Sequence, residues 1–177
     1  MARFSHNIVL LALLLAVSGP AQAAPLKVGT PAPAIALKDQ DNKAWALADT
    51  LQRPEVKAVL LYFYPKDNTP GCTKQACALR DRAGTLMQKG VEIVGINFDN
   101  TASHQRFIKK YALNFTLLSD LKGAAADAYG VRIPNRNLTR RVSFLISGEG
   151  KILHVFDHRD AIRHVAEMQM AIDKHLP

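Results

Sequence analysis

The chain holds two cysteines, Cys72 and Cys77, five residues apart. The first sits in the segment Tyr64-Pro65-Lys66-Asp67-Asn68-Thr69-Pro70-Gly71-Cys72-Thr73. Upstream, Lys57 to Tyr64 is an apolar run ending at a proline, the pattern of a buried strand. Downstream, Thr73 to Lys89 reads as a helix that Gly90 stops. A cysteine at such a junction faces the unpaired N–H groups of the first helical turn and the positive end of the helix dipole. Both favour thiolate, the nucleophilic form of cysteine. Strand ends that face helix starts are also where α/β sheets place their sites. Thr69, three residues before the cysteine, can aim a hydroxyl into the same pocket. Pro65 can shield that pocket from water without offering a competing donor.

The elements that must position these residues alternate in type. Pro25 to Pro33 carries three prolines and reads as an extended lead-in. Ala34 to Leu37 and Lys43 to Leu47 read as short edge strands joined by the polar turn Lys38 to Asn42. Val91 to Phe98 is a second buried strand, Ala102 to Tyr111 a helix and Phe115 to Leu118 a short strand. Gly123 to Tyr129 is a short helix. Arg141 to Ile146 and Lys151 to Phe156 form a hairpin across Ser147 to Gly150. Asp160 to Leu176 is the last helix, with Ile162, Val165, Met168, Ile172 and Leu176 on its apolar face. This order predicts an α/β fold: a central mixed sheet with helices on both faces, parallel where helices join the strands.

Composition narrows the function. Of 177 residues, 48% are hydrophobic and 21% charged, which excludes a disordered, collagenous or coiled-coil chain. Two cysteines cannot supply a four-cysteine zinc site. Met1 to Ala23 read as an export signal. Arg3 gives the positive start, Ile8 to Val17 an apolar run too short to span a bilayer, and Ala21 and Ala23 the small residues of a cleavage site. Cleavage after Ala23 leaves residues 24–177 as one domain with 22 basic and 15 acidic residues, a net of +7. The expected location is a bacterial periplasm, where thiols tend to be oxidised. The positive charge makes nucleic acid or an anionic surface conceivable partners. The basic pairs Lys109-Lys110 and Arg140-Arg141 are too short for a continuous binding stripe. His104, His154, His158, His164 and His175 are scattered away from ligand spacing, and His158 and His164 read as surface residues. Counted alone, two cysteines in an exported chain read as one structural disulfide.

The neighbours of Cys72 reverse that order. Pro65, Thr69 and Cys72 carry the Pro-x-x-x-Thr-x-x-Cys signature of the peroxiredoxins. Thr-Pro-Gly-Cys-Thr, with Cys77 five residues on, resembles the bacterioferritin comigratory protein (PrxQ) subfamily. The resemblance continues through Leu79-Arg80-Asp81, Ser103-His104, Leu117 to Asp120, Ala128 to Val131 and Arg141 to Ile146. It implies a thioredoxin-like fold and a thiol peroxidase without metal or cofactor. Cys72 would be the peroxidatic cysteine, attacking hydrogen peroxide or a small alkyl hydroperoxide. Arg141 would be the active-site arginine, with Arg140 beside it in reserve. Cys77 would resolve the sulfenic acid, and a thioredoxin-like dithiol protein would reduce the disulfide. The resemblance also suggests a monomer that binds neither nucleic acid nor, after signal cleavage, membrane. Gln75 stands where many members carry Glu, and Asn97-Phe98-Asp99 replaces a frequent Ser-Pro-Asp. On an ideal helix, residues five apart have Cα atoms roughly 8.6 Å from each other. A disulfide needs about 7 Å or less. The pair can therefore bond only if the first turns of the helix unwind. The alternatives are a peroxidase using one cysteine or an intermolecular disulfide, and a non-catalytic binding module with a static bridge. A thioredoxin-like exchanger would carry two cysteines separated by two residues, and here four intervene.

Overall fold

The computed structural model describes residues 26–176, and the expected export signal and its cleavage point lie outside them. Seven strands and five helices follow in the order β1 (Ala36–Asp39), β2 (Ala44–Ala46), α1 (Leu47–Leu51), β3 (Ala58–Phe63), α2 (Pro70–Gln88), β4 (Val91–Asn97), α3 (Thr101–Tyr111), β5 (Thr116–Ser119), α4 (Ala124–Ala128), β6 (Val142–Ser147), β7 (Ile152–Asp157) and α5 (Ala161–His175). The strands form one mixed sheet in the order β2-β1-β5-β4-β3-β6-β7. The three strands separated by α2 and α3 are parallel, β3 to β4 and β4 to β5. The hairpin strand β6 runs antiparallel to β3, and β1 antiparallel to β5.

The central strand β3 is buried along its whole length, as its unbroken apolar run requires when both faces are covered. Its alternating side chains feed two cores. Ala58, Leu60 and Tyr62 join Leu145 of β6 and the buried faces of α2, α3 and α5. Val59, Leu61 and Phe63 join Val142, Phe144 and Ile146 of β6, with Leu47 of α1 and Ala125, Ala126 and Tyr129 around α4. Burying each large apolar side chain contributes about 1.5–3 kcal/mol.

Three expectations change. Helix α2 begins at Pro70 rather than Thr73, with proline in its first turn, where an amide N–H has no intrahelical partner to lose. Leu47 to Leu51 is helical; a five-residue turn without a side-chain cap, held by Leu47 and Thr50 packing inward, leaves no periodic signal in the sequence. On α5, Ile162 is half-exposed, and Ala161 and His164 turn inward instead. His164, expected at the surface, is 1% exposed. Its Nδ1 accepts from the Ser143 hydroxyl at 2.9 Å, and its Nε2 donates to the His158 carbonyl at 2.7 Å. Burial pushes its pKa down to about 4, so the neutral ring docks the start of α5 against β6.

One glycine is dictated by packing. Gly95 of β4 lies opposite Tyr62 of β3. A Cβ there would meet Tyr62 Cζ and Leu117 Cδ2 at 2.7 Å each. Gly95→Ala is expected to destabilise the protein by about 1–3 kcal/mol, as overpacking does. Denaturant unfolding measures this, and an unchanged midpoint would refute the packing argument.

Candidate active site

Cys72 lies in the first turn of α2 and is 2% exposed. Thr69 is the N-cap residue, and the Thr73 amide closes the first helical bond to its carbonyl at 2.8 Å. Arg141, immediately before β6, reaches across to this turn. Its Nη2 donates to Cys72 Sγ at 3.4 Å, and its Nη1 donates to Gln75 Oε1. Gln75 is buried on the next turn of α2 and fixes the guanidinium plane beside the sulfur. The approach is close enough to constrain Gly71, where a Cβ would stand 3.3 Å from Arg141 Nη2. A guanidinium against sulfur at a helix start provides donors where a thiolate is held and where negative charge on an oxygen builds up.

Sheet geometry separates the two arginines. Successive residues of a strand point to opposite faces. Ser143 and Leu145 face the α2 and α5 side, so Arg141, of the same parity, faces it too. Arg140 turns the other way, pairing with Asp157 and donating to the Gly130 carbonyl at 2.9 Å. The reserve assignment of Arg140 to the sulfur is therefore set aside. Pro65 is half-buried and shares a cavity of about 290 Å³ with Arg141. The Thr69 hydroxyl does not aim a donor at the pocket as expected. It donates to the Lys66 carbonyl at 3.1 Å, and must rotate before it can donate elsewhere. Cys77 is half-buried further along the same intact helix, and both cysteines are free thiols. Tyr64 and Phe63, flanking the strand end, are core residues at 1% and 0% exposure. Cys72 does not itself line the cavity beside Pro65, which meets the sulfur through Arg141, and neither cysteine lines a larger hollow of about 580 Å³ beside Leu37, Trp45 and Leu121.

The loop before Cys72 is held by residues to which the sequence assigned no role. The buried carboxylate of Asp67 receives four donors. Tyr64 Oη and Asn97 Nδ2 bond Oδ1 at 2.7 and 3.2 Å, while Ser103 Oγ and His104 Nδ1 bond Oδ2 at 2.8 and 2.9 Å. The Asp67 amide donates to Asp99 Oδ2 at 2.8 Å. His104 Nε2 faces the Leu118 carbonyl at 3.2 Å, so both ring nitrogens point at acceptors. Burial alone would raise the Asp67 carboxyl. The hydrogen bond and charge of His104, with the Tyr64 and Ser103 hydroxyls, outweigh it and hold the group below the ordinary aspartate range. Of the positions that depart from the family pattern, Asn97 and Asp99 join this network, whereas Gln75 bonds Arg141 instead.

A depressed carboxyl contributes stability that is complete above its unfolded pKa, about 3.9, and is lost as pH falls through the lower folded value. Asp67→Asn leaves an amide facing donors and is expected to cost about 2–3 kcal/mol at neutral pH. The gap from wild type should close as acid unfolding is followed below about pH 4. A gap independent of pH throughout that range would contradict the carboxylate account.

Comparison with known proteins agrees with this architecture. Residues 28–155 match the AhpC/TSA family. Peroxiredoxin Bcp of Escherichia coli is 42% identical over 146 residues, covering 79% of this chain and 91% of the relative. A putative peroxiredoxin Bcp of Haemophilus influenzae is 44% identical over 139 residues, covering 75% and 87%. Among solved structures, peroxidoxin BcpB of Mycobacterium tuberculosis superposes with a TM-score of 0.78 at 29% identity, covering 85% of this chain and 98% of that one. With a thioredoxin-like sheet carrying a buried cysteine at a helix start, and with relatives of this identity and coverage, the chain belongs to the AhpC/TSA family and is a peroxidase of the Bcp/PrxQ peroxiredoxin type.

Proposed function

We propose that Cys72 is the peroxidatic nucleophile for hydrogen peroxide and small alkyl hydroperoxides, and that Cys77 resolves it. The observation that carries this reading is the Arg141 guanidinium 3.4 Å from Cys72 Sγ at the start of α2. The thiolate attacks the distal peroxide oxygen, a sulfur–oxygen bond forms, and the O–O bond breaks. Cys72 becomes a sulfenic acid, and water or an alcohol leaves. Arg141 stabilises charge on the oxygens, and Pro65 narrows the approach. For Cys77 to condense with the sulfenic acid and release water, the first turns of α2 unwind, since an intact helix keeps the two Cα atoms about 8.6 Å apart. That unwinding breaks the Arg141–Gln75 contact and draws Gln75 and Ala76, each 1% exposed, out of the interior. The exposed disulfide is then reduced by a thioredoxin-like dithiol protein.

Stopped-flow oxidation of the reduced protein, followed by disulfide mapping, tests the scheme. Cys72→Ser is expected to consume no peroxide. Cys77→Ser is expected to react once and stall as sulfenic acid. One equivalent of peroxide on wild type should give an intramolecular Cys72–Cys77 bridge. Free Cys77 thiol, or an intermolecular bridge, would overturn the intramolecular route.

Export to a periplasm belongs to the same proposal, supported by Arg3, the apolar run Ile8 to Val17 and the small residues Ala21 and Ala23. Protein purified from its native envelope fraction is expected to begin Ala24-Pro25-Leu26. An amino terminus at Met1 or Ala2 would refute export by cleavage.

A further inference from the structure

Hydrogen peroxide has two heavy atoms and does not require the 290 Å³ cavity beside Arg141 and Pro65. At about 30 Å³ per water in the liquid, that space holds roughly ten heavy atoms. Ile133 gives it an apolar element, and Arg140, Arg141 and Arg159 bring three guanidinium groups against the single carboxylate of Asp157. Two of these cations are engaged. Arg140 pairs with Asp157, and Arg141 is turned to Cys72 and Gln75. The neighbouring Arg163 donates to His158 Nε2 at 3.0 Å, and Asp160 caps α5. Arg159 is exposed and, among the described residues, makes no side-chain hydrogen bond or ion pair. Two further groups are unsatisfied: the Thr139 hydroxyl, on a residue 0% exposed, and Arg141 Nε are buried with no partner. Both atoms are closed off from the cavity space, so the exposed Arg159 is the unpaired group open to a bound molecule.

We infer that this cavity receives the tail of a compact organic hydroperoxide bearing a second, negatively charged group. Arg159 supplies the counter-charge, and Ile133 contacts the carbon frame. The inference rests on Cys72 being the peroxidatic cysteine. The bond changes are those of that reaction: sulfur–oxygen forms, O–O breaks, Cys72 is oxidised to sulfenic acid, and the alkoxide leaves and takes up a proton. The anionic tail keeps its charge throughout and serves only to orient the substrate.

The test uses 3-hydroperoxy-3-methylbutanoate and its methyl ester, which present the same tertiary hydroperoxide with and without a charge. The readout is the acid-to-ester ratio of kcat/KM for the full mature protein. Wild type is expected to favour the acid at low ionic strength, and added salt to shrink the preference. Arg159→Glu is expected to lower the ratio about tenfold and Arg159→Gln about threefold, the range for a solvent-accessible charge contact. An ester preference in wild type, or the same ratio in all three proteins, would overturn the subsite while leaving the Cys72 chemistry standing. Failure of wild type to consume either probe or hydrogen peroxide would overturn the Cys72 reading, and the subsite with it.

Discussion

A charge that has left water must be fully surrounded by partners, and Asp67 meets that condition with four donors from three different parts of the fold. Tyr64 immediately follows β3, Asn97 ends β4, and Ser103 and His104 come from the first half of α3. The carboxylate therefore joins the ends of two parallel strands to the helix that follows them. The Pro65 to Thr69 loop has no regular backbone pairing of its own, so this carboxylate fixes where the loop runs. The loop in turn fixes where α2 starts, and with it the position of Cys72. Losing one partner leaves the others facing an unmatched group, which makes the arrangement cooperative.

Downstream of Cys72 the demands on the same helix conflict. The turn is closed where the guanidinium meets the sulfur, and the proposed Cys72–Cys77 bridge requires it to open. The composition of α2 is suited to that tension. Its first turn holds Pro70 and Gly71, poor helix formers in a helix interior, whereas Ala76, Leu79, Ala83 and Leu86 anchor the remainder in the core. The contacts that resist opening are few and local: Arg141 to Gln75, the sulfur itself, and the packing of Ala76. The Asp67 network lies upstream of Thr69, so opening of the first turns need not disturb it. The proposed opening thus begins where the fixed loop ends, at the N-terminus of α2.

The chemistry was legible in the sequence wherever it depended on neighbours along the chain. Pro65, Thr69 and Cys72 occur within eight residues, and an apolar run followed by a glycine-stopped helix placed them at a strand end. Strand and helix types followed from side-chain period, which is a local property. The short helix α1 escaped because five residues carry too little period to register. His164 escaped because its burial depends on Ser143, 21 positions away, which satisfies its ring.

Contacts across large sequence separations were settled only by folding. Arg140 and Arg141 are equivalent by type, and strand alternation alone requires only that they face opposite ways. The packing of β6 between two cores decided which one meets the sulfur. Asp67 and His104 lie 37 positions apart, and Arg141 and Cys72 are 69 apart. No local pattern encodes such pairings, because they arise from the order in which strands assemble into one sheet. Neighbouring residue types along the chain were enough to place a cysteine at the start of a helix behind a buried strand. The tertiary structure decided which arginine, which amide and which carboxylate surround it, because hydrogen bonds and charge act over a few ångströms of space whatever the separation along the chain.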